Sequence, residues 1–223
     1  MKTKIPIIIA LVLSVRVGLS QSFVNLDFES AKIISVIGGP NYPYTIATTN
    51  ALPGWTVFIG GSQITQINYN DPAVGSTFVN LWATNGQQLS GSFSVLLQGG
   101  FNPPATISQT GLVPIGTESI LFEAQQLNGQ PGIANLVLSL GGQDLSTSAL
   151  ATGLNYTLYG AAIPVAFAGQ SEQLEFSALG GLNNYTIDNI QFSASSVPEP
   201  GAFGLFALGG ALLGLRHRKK ISR

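Results

Sequence analysis

From Phe23 to Ser193 the chain runs as short apolar–polar alternations, each closed by a turn signal, and no stretch carries the three-to-four spacing of an amphipathic helix. Val24, Leu26 and Phe28 share one face of an expected first strand. Thr77, Val79 and Leu81 alternate with Phe78, Asn80 and Trp82. Phe93, Val95 and Leu97 follow the same period before Gln98-Gly99-Gly100. Ile120, Phe122 and Ala124 oppose Ser119, Leu121 and Glu123, and further strands fit residues 134–140, 156–161, 172–177 and 185–192. Between them stand Pro53-Gly54, Gly60-Gly61, Asp71-Pro72, Pro103-Pro104, Asn128-Gly129, Gly141-Gly142 and Gly180-Gly181, pairs that fix tight turns. Many short strands without intervening helices predict an all-β chain folded as a two-sheet sandwich.

The residues available for chemistry in that sandwich are few. There is no cysteine, so disulfides, thiolate catalysis and Cys-ligated zinc are excluded. The one histidine, His217, lies near the C terminus, which leaves the central region without a Ser-His-Asp triad or a His-bound metal. Between Gln21 and Val197 nine acidic residues face a single base, Lys32. A surface so acidic does not suit nucleic acid.

The positive charge gathers instead at the two ends, beside apolar runs. Lys2 and Lys4 precede an apolar stretch over residues 5–15, and Gly18-Leu19-Ser20 offers the small residues that signal peptidase reads. Residues 1–20 therefore read as a signal peptide cleaved before Gln21. The apolar run is too short to span a bilayer comfortably. At the other end Val197-Pro198-Glu199-Pro200 is followed by an apolar, glycine-containing run over 201–215 and then by Arg216, His217, Arg218, Lys219 and Lys220. That layout predicts a short transmembrane helix with its basic end left in the cytoplasm and the domain of residues 21–196 outside.

The order of these three parts in residues 197–223 closely resembles the PEP-CTERM sorting signal of Gram-negative bacteria, also known as the ice-binding protein C-terminal motif. The second name implies no ice binding. The resemblance implies handling by an exosortase-type enzyme, with removal of the tail near Pro198-Glu199-Pro200. It also implies a stay at the inner membrane before delivery to the outer surface or matrix, and the company of exopolysaccharide.

Four segments of the domain resemble the galactose-binding-like jelly roll of carbohydrate-binding modules and of DUF642-type cell-wall proteins. They are Asn25-Leu26-Asp27-Phe28-Glu29, Leu52-Pro53-Gly54-Trp55-Thr56-Val57, Ile107-Ser108-Gln109-Thr110 and Tyr185-Thr186-Ile187-Asp188-Asn189-Ile190. The resemblance implies a jelly-roll β-sandwich, and a structural calcium joining first and last strands with Glu29 and Asp188 as ligands. No cofactor is otherwise required. By strand parity Asp188 accompanies Ile190 and Phe192 and turns inward. A bulge that turns it outward, or a backbone amide that binds it, accounts for the residue equally well.

Trp55 is expected in the core, where its area counts most. Trp82, Tyr69, Tyr42 and Tyr44 are expected as exposed platforms, with Trp82 and Tyr69 the candidates for stacking on a sugar. Glu123 and Glu175 sit opposite apolar faces and are expected to point outward, so no carboxylate pair suited to glycoside hydrolysis is marked. The expected function is an exported, non-catalytic envelope or matrix protein associated with polysaccharide. The alternatives are a glycan hydrolase and a structural surface protein without a specific ligand.

Overall fold

The alternations form fifteen strands among the residues that the computed structural model describes, 21–39, 42–71, 76–83, 87–101, 103–126 and 133–197. The first 20 residues and everything from Pro198 onward, including Glu199, Pro200, Arg216, Arg218, Lys219 and Lys220, lie outside the described residues. In chain order the strands are β1 (Ile37–Gly39), β2 (Tyr42–Ala47), β3 (Thr56–Ile59), β4 (Ser62–Ile64), β5 (Gln66–Tyr69), β6 (Phe78–Ala83), β7 (Phe93–Gln98) and β8 (Ala105–Leu112). There follow β9 (Ser119–Gln126), β10 (Leu136–Leu140), β11 (Gln143–Asp144), β12 (Thr147–Thr152), β13 (Thr157–Ala162), β14 (Ser171–Ala178) and β15 (Asn184–Ser193). One four-residue helix, α1 (Thr48–Ala51), caps the turn after β2.

Nine strands pair in the order β1-β2-β5-β6-β7-β15-β9-β13-β12 and six in the order β11-β10-β14-β8-β3-β4. All named neighbours run antiparallel except β5 and β6. Because side chains alternate across each strand, one face of each sheet supplies the core between them. Val79, Leu81, Val95, Leu97, Phe122 and Ile187 meet Val57, Ile107, Leu138, Leu174 and Phe176 there. The molecule is an all-β jelly-roll sandwich.

The expected first strand does not form. Asn25 and Phe28 have φ of 52° and 58°, left-handed values that a strand does not tolerate. The segment is a clip instead. The Val24 amide donates to Gln109 Oε1 (2.6 Å), Trp55 Nε1 donates to the Asn25 carbonyl (3.0 Å), and the Ile190 amide donates to the Leu26 carbonyl (3.0 Å). Phe28 is buried against Trp55, ring centroids 5.7 Å apart, which places Trp55 in the core as expected. The four segments that carry the jelly-roll resemblance thus meet at one place.

Candidate functional site

The face of the nine-stranded sheet that points away from the core is not a solvated surface. On it β6 sets Asn80 and Trp82, β7 sets Ser94 and Leu96, β15 sets Thr186 and Asp188, and β9 sets Glu123, each alternating with a core residue. All of these are buried. The turn before β7 reaches Ser94 and Asp188 on this face, for the Leu89 amide donates to Ser94 Oγ (2.8 Å) and the Ser90 amide to Asp188 Oδ2 (3.2 Å).

Asp188 reaches this face through a bulge. Up to Asp188 the strand keeps register with β9, Asp188 opposite Glu123. The register then shifts, so that Gln191 opposes Leu121, and Asn189 takes φ 49°. The irregularity reverses parity, sending Ile190 to the core and leaving Asp188 on the outer face, at 1 % exposure. Its Oδ2 accepts hydrogen bonds from the Ser94 hydroxyl (2.6 Å), the Ser90 hydroxyl (3.3 Å) and the Ser90 amide; Oδ1 accepts from the Asn189 amide (2.7 Å). Burial pushes its carboxyl up to about 6, against the pull of those hydrogen bonds and with a further push from Glu123.

Several polar atoms on this face have no partner. Asn80 Nδ2, Trp82 Nε1, Glu123 Oε2, Asn184 Oδ1 and Thr186 Oγ1 are buried without a hydrogen bond. Each such atom carries the full cost of its lost hydration, about 1–3 kcal/mol.

Two sequence expectations fail here for one reason. Trp82 is 3 % exposed, packed with Phe78 and Leu96, and is not an exposed platform; Glu123 is 5 % exposed and does not point into solvent. Alternation identified the face correctly but cannot say whether that face is buried. Tyr69 lies on the core side, half-buried against the core, so it does not join Trp82 in a binding surface. Tyr44 is exposed, and the side chain of Tyr42 lies outside the described residues. Glu175 is half-buried on the other sheet, where its Oε1 accepts the Ser177 hydroxyl at 3.3 Å.

Glu29 and Asp188 do come together, but through protein. Glu29 Oε1 accepts the Ser92 and Phe93 amides at 2.7 and 3.0 Å, so both carboxylates grip the same turn, residues 90–93. Calcium takes six to eight oxygens, and here N–H and O–H hydrogens are already aimed at both carboxylates. No three acidic or histidine side chains gather among the described residues. These residues do not fit a calcium ion shared between Glu29 and Asp188. The link the resemblance implied is made instead by the turn and by the Leu26–Ile190 hydrogen bond.

A second feature is a cavity of about 440 Å³ at the open edge of the sandwich, where the β10–β11 hairpin faces β12 and β13. Asp144, Ser146 and Thr147 supply polar groups there, beside Ile133, Leu145 and Tyr159. No pattern in the sequence marked it, because its walls come from the edges of two different sheets.

The last described residues bear on the tail. Ser119 Oγ donates to the Ser195 carbonyl at 2.6 Å, and Val197 is buried over Gly160, which Leu121 and Leu150 also approach. Residues 196–219 match the PEP-CTERM protein-sorting motif, a stretch that holds Val197, Pro198, Glu199, Pro200, Arg216, Arg218 and Lys219 and stops one residue before Lys220. No curated protein matches the chain. Among solved structures it is similar to the enzymatically active domain of tailspike protein 4 of bacteriophage CBA120, with 14 % identity and a TM-score of 0.39 over 63 % of this chain. It spans only 19 % of that tailspike chain. It is also similar to the carbohydrate-binding module TmCBM61 in complex with beta-1,4-galactotriose, with 13 % identity, TM-score 0.40, and coverage of 78 % of this chain and 99 % of that one. A third is the family 11 carbohydrate-binding module from Clostridium thermocellum, with 9 % identity, TM-score 0.35, and coverage of 69 % and 96 %. Among the described residues no helix is long and apolar enough to cross a membrane. The chain is a jelly-roll sandwich that ends in a PEP-CTERM protein-sorting motif, and that motif implies an exported protein associated with the cell envelope.

Proposed function

We propose that the protein is a non-catalytic component of the bacterial envelope or extracellular matrix, associated with polysaccharide and held at the inner membrane only until its tail is processed. The observation that carries this reading is the sorting motif, which starts at residue 196, three residues beyond the end of β15. Signal peptidase and an exosortase-type enzyme are the partners that such a layout requires. Glu123 and Asp188 are the one pair of carboxylates on neighbouring strand positions among the described residues, which is what a hydrolase reading would rest on. Both are enclosed, and both Asp188 oxygens already accept protein hydrogen bonds, so the pair lacks the open cleft that hydrolysis needs.

The edge cavity is the surface offered for a sugar. Its mixed lining of carboxylate, hydroxyl and aromatic groups suits a polyol that needs orientation on one side and packing on the other. The full-length chain, screened against neutral and acidic polysaccharides, is expected to bind a neutral one. Joint replacement Asp144→Ala and Thr147→Ala should weaken that binding about tenfold, equivalent to about 1.4 kcal/mol. Absence of binding to every polysaccharide in the panel would leave the structural-protein reading.

The tail gives a separate expectation. Protein released from its native cells should have lost residues 216–223, read by intact-mass spectrometry. An unprocessed C terminus in the released material would overturn the transient-anchor part of the proposal and leave the sugar-binding part standing.

A further inference from the structure

Both ends of the described chain leave the sandwich at the same place. The Leu112 amide donates to the Gln21 carbonyl (2.8 Å) and Ser22 bridges Leu112, so the first residues run beside the end of β8. Ser193, which ends β15, pairs with Ser119 at the start of β9, and Ser119 pairs in turn with Ala162 at the end of β13. Ser171, at the start of β14, pairs with Leu112. Two loops cross between the sheets at this end, 113–118 from β8 to β9 and 163–170 from β13 to β14. The sequence beyond the domain is apolar on either side, over residues 5–15 and 201–215.

These two loops hold apolar side chains out in solvent. The Val113 amide donates to the Gln170 carbonyl and the Gly169 amide to the Val113 carbonyl, both at 2.9 Å, which zips one loop to the other. The Thr117 hydroxyl and amide both donate to the Pro114 carbonyl, at 2.7 and 3.2 Å, and the Phe167 amide donates to the Pro164 carbonyl at 2.9 Å. Each pair of bonds closes a tight turn, and the turns lift Ile115 and Val165 to the tips, 90 % and 87 % exposed. The tips are neighbours, for a Cβ on Gly169 would lie 3.3 Å from Ile115 Cγ1. No charged residue occurs in 113–117 or in 163–170. Clustered apolar tips of this kind mark a contact surface, whereas single scattered ones do not.

The tail fixes what lies opposite them. Val197 is buried over Gly160, three residues or about 10 Å along β13 from Ile163. Residues 198–200 alone separate Val197 from the apolar run that starts at 201, a reach of at most about 14 Å. With that run in a membrane, this end of the sandwich is held at the bilayer surface. We infer that Ile115 and Val165 dip into the apolar boundary of the bilayer while the tail is inserted, and so dock the domain end-on. The inference rests on the reading of residues 201–215 as a membrane segment. Nine acids against one base over residues 21–197 give no electrostatic attraction to lipid, so the contact is with acyl chains and needs no anionic headgroup. Two side chains are too small an anchor by themselves. They orient the sandwich during its stay, and the contact ends when the tail is removed.

The chain has no cysteine, so single labelled cysteines test this cleanly. The full-length chain is placed in vesicles of phosphatidylcholine and phosphatidylethanolamine, with a bimane label on Ile115→Cys, Val165→Cys, Phe101→Cys or Leu154→Cys. Phe101 and Leu154 are also exposed and apolar, at 73 % and 103 %, but they lie in loops at the opposite end of the sandwich. All four side chains stand in solvent, so none of the substitutions should disturb the fold. Spin-labelled lipid is expected to quench the labels at 115 and 165 about threefold more than those at 101 and 154. Equal quenching at the four positions, or the reverse order, would overturn the docking. Tips shielded from a water-soluble quencher but not quenched by lipid would be covered by a second copy of the chain, which overturns it too. Flotation of the vesicles separates this inference from the reading beneath it. Protein that fails to float would overturn the membrane reading of the tail and the docking with it, whereas protein that floats with its tips unquenched would overturn the docking alone.

Discussion

Phe122→Ala is expected to destabilise the protein by about 3–5 kcal/mol, lowering the midpoint of thermal unfolding by on the order of 10 °C. Phe122 stands in the middle of β9 and faces the core with no exposed surface. Its ring stacks on Tyr159 of the neighbouring strand β13, centroids 5.7 Å apart at 23°. It meets Phe176 of the opposite sheet edge-on, at 5.1 Å and 74°. One ring therefore makes contacts within its own sheet and across the sandwich. Removing it forfeits the transfer of the ring, both aromatic pairs and the packing of whatever volume stays empty. The gap closes poorly, because Tyr159 and Phe176 are each held by strands paired on both sides, β13 by β9 and β12, and β14 by β8 and β10. Phe192→Ala offers the comparison. Phe192 stacks on Phe23 at 5.0 Å but is only partly buried, so its loss should cost less. Denaturant unfolding of both variants checks the order, and a cost below about 1.5 kcal/mol for Phe122→Ala would show that the sheets close over the gap.

That core was legible in the sequence because alternation is a local property. Val79 and Leu81, Val95 and Leu97, and Ile120 and Phe122 lie two residues apart within a strand, and each pair faces inward as its period requires. Leu26 and Phe28 share that spacing and yet form no strand. Left-handed backbone at Asn25 and Phe28 lets the segment reach Gln109, Trp55 and Ile190, contacts set by partners far along the chain. The outer face was illegible for a related reason. Period two says which side of a sheet Trp82 and Glu123 occupy, but nothing local says that this side is buried, or that the turn before β7 reaches Ser94 and Asp188 on it. The neighbourhood of Glu123, Thr186 and Asp188 depends on the register of β15 against β9, more than sixty residues away in sequence, and on a bulge at Asn189 that reverses parity partway along the strand. A bulge was one of the readings open for Asp188. The burial of the outer face was not.

The position of Asp188 leads to the second large effect. Acidifying the protein from pH 7 to pH 4 should add about 2 kcal/mol of stability through this one group, on the way to about 3 kcal/mol at lower pH still. Burial holds its folded pKa at about 6, above the ordinary 3.8 that applies in the unfolded chain. Between those values the folded state holds a proton that the unfolded state has released. The stabilisation is therefore complete only below the unfolded value of 3.8, falls as pH rises toward 6, and is gone above it. The groups facing the carboxyl are Ser94 from β7, Ser90 from the turn before β7, Asn189 beside it and Glu123 from β9. Glu123 is the one ionisable member of that set, and its charge favours the protonated form. Other carboxylates titrate in the same window, so the contribution is read as the difference between the parent and Asp188→Asn. Asparagine keeps an oxygen for Ser94 and Ser90 but turns an amide toward the Asn189 N–H, losing one hydrogen bond at a cost of about 1 kcal/mol. The variant should thus be more stable than the parent by about 2 kcal/mol at pH 7 and less stable by about 1 kcal/mol at about pH 3, the curves crossing between about pH 4 and pH 5. Parallel curves across that range would mean that Asp188 stays ionised within the fold, held by its four hydrogen bonds alone.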